Sequence, residues 1–127
     1  MFAAEVLDDA GQVKGVRPLG GTVEFGETAA AAVVREFREE LGLGVRLTSQ
    51  PFFMENIYTH EGETGHEIVA LFEVAFPTGA FAGETRIVFR EDSGLECTAA
   101  WFDVATLDLP GGPRLYPNGL KARLRLP

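Results

Sequence analysis

The chain has 127 residues, of which 46% are apolar and 24% charged, and a net charge of −8. This is ordinary for a globular domain large enough to bury a core, and the acidic balance argues against a nonspecific nucleic-acid binder, which carries a basic patch. A single cysteine, Cys97, excludes a disulfide framework and predicts a cytoplasmic setting with a buried structural thiol, while the absence of a signal peptide and of any long apolar run predicts no membrane partner.

In chain order, Phe2 to Leu7 reads as a short strand closed by an Asp8-Asp9-Ala10-Gly11 turn. Val13 to Leu19 is a second strand that leads into Gly20 and Gly21. Paired glycines let backbone approach a ligand or adopt φ > 0, and a glycine turn ahead of a helix N-terminus is suited to anions. Thr28 is the expected N-cap of a helix that Gly42 stops. At about 100° per residue, Glu36, Glu39 and Glu40 share one arc, and Ala30, Val33, Val34, Phe37 and Leu41 form a core-facing stripe beside it. Ala29 and Ala32 project on the acidic side, where small side chains leave room for a bulky ligand.

After the helix, Val45 to Ile57 is expected to be extended, interrupted by Pro51, and Thr59 to Gly65 to be a polar hairpin turn. Ile68 to Phe76 is a near-continuous apolar run, apt for a buried central strand. A loop from Phe81 to Cys97 holds a short strand at Arg86 to Phe89, and Thr98 to Phe102 reads as the last strand. Val104 to Leu109 reads as a helical turn and Gly119 to Leu126 as a terminal helix. No repeat, linker or low-complexity tract interrupts the chain, so residues 1–127 read as one domain.

The chemistry concentrates in the helix. Clustered carboxylates repel one another, and the only cations nearby are Arg35 and Arg38; Arg35 precedes Glu39 by four residues and can brace it. Hard oxygen ligands grouped in this way suit Mg²⁺ or Mn²⁺. The helix alone reads equally well as a solvated Glu/Arg face; a glycine loop, a helix start and a carboxylate ladder together are more specific.

Gly21, Glu27, Arg35, Glu36, Glu39, Glu40 and Gly42, with Phe37 and Leu43 at the bulky apolar positions, match G-x5-E-x7-R-E-U-x-E-E-x-G-U. The segment resembles the Nudix box at every defined position. At residue frequencies of roughly one in fifteen, seven fixed matches arise by chance in about one window in 10⁸. Looser resemblance extends to the Arg17-Pro18-Leu19 lead-in, to Glu55 through Val69, to Trp101-Phe102 and to Leu115-Tyr116-Pro117, and is similar to small bacterial single-domain Nudix hydrolases.

The resemblance implies an α+β fold, an α/β/α sandwich in which a mixed β-sheet packs between helices. It implies Mg²⁺- or Mn²⁺-dependent hydrolysis of a nucleoside diphosphate linked to a moiety X, giving a nucleotide monophosphate and phosphorylated X. The partner is then a nucleotide-type small molecule: a nucleoside triphosphate, a nucleotide sugar or a dinucleoside polyphosphate. Glu36, Glu39, Glu40 and the carbonyl of Gly20 are the implied metal ligands. Arg35 would orient carboxylates, Glu27 would brace Arg35 or reach a second metal through water, and Gly21 and Gly42 would support the loop and the helix end. Glu36 or Glu39 is the implied general base; in other members the base sits on a distant loop, where Glu84, Glu91, Asp92 and Glu96 read here as solvated carboxylates. The alternative is a non-catalytic Nudix-like sensor or interaction domain, against which the intact box argues. Members commonly carry a strand ahead of the one at Phe2, so a missing edge strand is expected to expose a sheet edge and to favour a homodimer.

The remaining features receive structural readings. His60 and His66, with Glu61, Glu63 and Glu67, follow no recognised metal-ligand spacing. Phe52, Phe53 and Tyr58 are expected in the core rather than stacked on a base. Arg114, Lys121, Arg123 and Arg125 are expected to be a solvated basic end.

Overall fold

Residues 1–60 and 62–124 are described by a computed structural model, in which the chain gathers into two compact units: Met1–Leu19 with the chain from Phe81 onward, and Gly20–Ala80. The elements in order are β1 (Phe2–Leu7), β2 (Val13–Pro18), α1 (Ala29–Leu41), β3 (Arg46–Leu47), β4 (Phe52–His60), β5 (Glu63–Leu71), β6 (Val74–Ala75), β7 (Ile87–Arg90), β8 (Glu96–Trp101), β9 (Arg114–Leu115) and α2 (Leu120–Arg123). A 3₁₀ turn, Val104–Thr106, lies between β8 and β9. This mixed sheet with helices is the α+β arrangement expected.

The first unit holds a five-stranded sheet in the order β7-β8-β1-β2-β9. All neighbours run antiparallel except β2 and β9, which pair in parallel through Gly15↔Arg114 and Val16↔Leu115. The β1–β2 turn forms because Asp8 Oδ1 accepts from the backbone N–H of Ala10 and Gln12, each at 2.9 Å. Ala3 and Ala4 are both fully buried. Adjacent strand residues point to opposite faces, so the centre of this sheet is covered on both sides. Val16, Phe89, Ala99, Leu107, Leu115 and Leu120 are buried in the same unit. β1 is an interior strand, with Phe2–Ala4 paired to β8 on one side and β1 paired to β2 on the other, and β7 and β9 form the edges of the sheet.

The second unit contains α1, the short β3–β6 pair and the β4–β5 hairpin, registered from Phe52↔Leu71 to His60↔Glu63. The hairpin strands run further toward the turn than the sequence predicts; Glu61 lies outside the described residues. The apolar run from Ile68 to Phe76 is not one buried strand. It ends as β5 at Leu71 and resumes as β6, and Ile68 is 74% exposed. The break falls at Glu73, whose N–H donates to Ser49 Oγ and whose carbonyl accepts from Thr48 N–H. The terminal helix is shorter than predicted, spanning Leu120–Arg123 between Gly119 at its start and an extended Leu124 at its end; Arg125 and Leu126 lie outside the described residues. No helix among the described residues is long and apolar enough to cross a membrane.

Candidate functional site

The site is assembled on a helix with both ends fixed by local chemistry. Thr28 Oγ1 accepts from Ala31 N–H at 3.1 Å, satisfying one orphan donor of the first turn. At the other end Gly42 takes φ 67°, and its N–H returns to the Arg38 carbonyl. Ahead of the helix, Glu27 N–H donates to the Glu24 carbonyl at 3.0 Å, and Glu24 N–H donates to Glu27 Oε1 at 3.1 Å. This double closure presents the Glu27 carboxylate to the helix.

Arg35 is the hub. Its Nε and Nη2 donate to the two oxygens of Glu27 at 2.7 and 2.9 Å, a bidentate fork. Nη2 also reaches the Thr22 carbonyl at 3.1 Å, while Nη1 donates to Glu36 Oε1 at 2.9 Å and to Glu39 Oε2 at 3.2 Å. Glu24 Oε1 stands 3.9 Å from Nη1. The hydrogen bonds from Arg35, helped by the Glu24 N–H, hold the Glu27 carboxyl below its ordinary value of 4.5. The same bonds to Glu27, and then the one to Glu36, raise the Arg35 guanidinium further above its usual range. Thr22 and Glu24 were not singled out from the sequence. A carbonyl acceptor leaves no mark there, whereas the Glu24–Glu27 turn carries a signal in Gly26, which takes φ 84° at its third position.

Glu36 occupies a position the helix wheel did not foresee. It is 4% exposed and shares the buried face of α1 with Ala32 and Phe37, whereas the periodicity puts the acidic arc beside the core stripe. Ala32 is therefore buried and leaves no room for a ligand. Ala30, Ala31 and Val34 instead border a shallow groove of about 630 Å³ with Glu27, Arg35, Arg38, Glu39 and Leu47. Ala30 and Val34, assigned to the core, are only half-buried. The Glu39 side chain is 48% exposed, and Glu36 and Glu39 each offer an oxygen within 4.8 Å of the other. Glu40 follows half-buried on the same helix, and Gly20 and Gly21 stand at the entry of the loop.

A buried carboxylate is costly unless it is paired. The Arg35 bond engages Glu36 Oε1, and Glu39 offers a second carboxylate beside it. Two adjacent carboxylates oriented by one shared guanidinium make a donor set that fits a hard divalent cation.

Glu91 pairs with Arg17 and Glu96 with Arg90, while Glu84 and Asp92 are exposed. His66 faces Glu55 across the hairpin at 3.1 Å, whereas Glu67 bonds to Asn56 on the opposite face. Phe53 and Tyr58 are not core residues: they are 58% and 44% exposed. Lys121 is not simply solvated, since its Nζ donates to the Leu107 carbonyl at 2.7 Å. Comparison with curated proteins finds no match. A family model described as the NUDIX domain matches residues 9–119 of the 127. The intact box, the helix that carries it and a match over most of the chain lead to one conclusion: the chain belongs to the Nudix family.

Proposed function

We propose that residues 1–127 form one Nudix domain that acts as a Mg²⁺-dependent pyrophosphohydrolase in the cytoplasm. Its substrate is a nucleoside diphosphate linked to a second moiety. Family membership supports a pyrophosphohydrolase-type activity, and the observation that carries the rest is the buried Glu36 carboxylate, tied to Arg35 beside Glu39. A solvated charged face would not bury one of its carboxylates.

Glu36, Glu39 and Glu40, with the Gly20 carbonyl, are the groups that would hold the metal. When bound, Mg²⁺ or Mn²⁺ supplies positive charge against the phosphate oxygens and lowers the pKa of a bound water. Arg35 keeps Glu36 and Glu39 oriented, and Glu27 keeps Arg35 oriented, so both are positioning residues. Of the two candidates for the base, Glu39 is favoured. Water reaches its half-exposed carboxylate, whereas Glu36 is buried with Oε1 engaged by Arg35. In the reaction, water attacks one phosphorus of the diphosphate and gives a proton to Glu39. The bridging P–O bond breaks, releasing a nucleoside monophosphate and the phosphorylated second moiety.

Titration of the protein with Mn²⁺, followed by its spin-resonance signal, tests the ligand set. Glu40→Gln is expected to weaken binding about tenfold or more. Equal affinity in wild type and variant would remove Glu40 from the site.

A further inference from the structure

Glycine is required in this chain for two distinct reasons, and Gly21 separates them. Gly26 and Gly42 take φ of 84° and 67°, conformations that disfavour any side chain. Gly21 is not among the positive-φ glycines. Its backbone conformation is open to ordinary residues, so backbone freedom is not why glycine stands there.

The reason is steric and points at one group. A Cβ on Gly21 would collide with Glu36 Oε1, and would lie 2.5 Å from Glu36 Cδ and 2.8 Å from Oε2, inside the 3.0 Å that real Cβ atoms essentially never breach. A flexible side-chain end can normally swing clear. This one cannot do so cheaply, because Glu36 is 4% exposed and its Oε1 is fixed by Arg35 Nη1 at 2.9 Å. Retreat of the carboxylate would break that bond and shift the group within a buried site.

We infer that Gly21 is a positioning residue for the buried carboxylate. Its missing side chain makes the space in which Glu36 is held between the loop backbone and Arg35, in the orientation in which it ligates the metal. This rests on the reading of Glu36 as a metal ligand given above. The contact itself needs no metal, so the two ideas can fail separately.

The test is a double-mutant cycle with two readouts: melting temperature in chelator, and Mn²⁺ affinity of the folded proteins. Gly21→Ala is expected to lower the melting temperature and to weaken Mn²⁺ binding about tenfold. Gly44→Ala, also at an ordinary φ but with nothing within 4 Å of the added Cβ, is the control and should change affinity less than about twofold. In a Glu36→Ala background the clash has no partner, so adding Gly21→Ala should change neither readout. An equal fall in melting temperature in both backgrounds overturns the inference, as does a Gly21→Ala protein that matches wild type in both readouts. Coupling in melting temperature with unchanged Mn²⁺ affinity overturns the metal-ligand reading of Glu36, and with it the positioning role. Should Gly21→Ala fail to fold, Glu36→Asp retracts the carboxylate by one methylene and should restore a folded protein; failure of that rescue also counts against the inference.

Discussion

Glu36→Gln should change stability and activity in opposite directions. The Glu36 side chain is 5% exposed and bonds to Arg35, which also holds Glu27 and Glu39. Neutralising Glu36 costs part of one charge-assisted bond. That bond contributes about 1.5–3 kcal/mol, of which about 1 kcal/mol returns because the amide oxygen can still accept. Against this stands relief from holding a carboxylate away from water, several kcal/mol per ion in real proteins. Arg35 keeps its bidentate partner, so no uncompensated cation is created. The balance favours the variant by about 1–3 kcal/mol without metal, a rise of about 3–10 °C in melting temperature for a chain of this size. Turnover should fall at least about tenfold, because a ligand to the metal is lost. Added Mg²⁺ should raise the melting temperature of the variant less than that of wild type. Calorimetry in chelator and with Mg²⁺, alongside an activity assay, measures all three. A variant that melts several degrees lower while keeping wild-type turnover would refute the reasoning, because Glu36 would then be a structural ion-pair member and nothing more.

Glu27 gives a pH signature. Its folded pKa is held below 4.5, chiefly by Arg35, so its contribution to stability is present above about pH 4.5 and is lost as pH falls through the lowered folded value. Glu27→Gln has no such contribution to lose, so the gap in melting temperature between it and wild type should narrow on acidification below pH 4.5; a constant gap would mean that the Arg35 pairing does not stabilise the fold. Cys97 is half-buried, and its Sγ lies 3.8 Å from the Leu95 carbonyl. Cys97→Ser should leave turnover within about twofold of wild type, and abolished turnover in a folded variant would make the thiol functional.

What the sequence predicted well is what short-range chemistry decides. Thr28 and Gly42 bound the helix from both ends because a cap and a left-handed terminus are local devices. The Arg35 brace on Glu39 follows from helical spacing, and the pairing of Glu27 with Arg35 is among the roles that family resemblance implied. Burial was harder, because periodicity reports which residues share a face but not which face is covered. Glu36 therefore read as part of an exposed arc and is among the most buried residues of α1. The same limit explains Ile68, which an unbroken apolar run placed in a central strand and hairpin register turned outward. Arg114–Leu115 form β9 with two residues, too few for any period to register, and their parallel pairing with β2 is a long-range event.

The most direct test of the central claim is phosphate or nucleotide release from a panel of nucleoside diphosphate derivatives, with Mg²⁺ and with chelator, for wild type and Glu39→Gln. The predicted result is turnover of at least one substrate that needs Mg²⁺ and falls at least about tenfold in the variant. Nucleotide-dependent stabilisation without turnover, from folded protein that binds Mg²⁺, would contradict it and make the chain a binding member of the family.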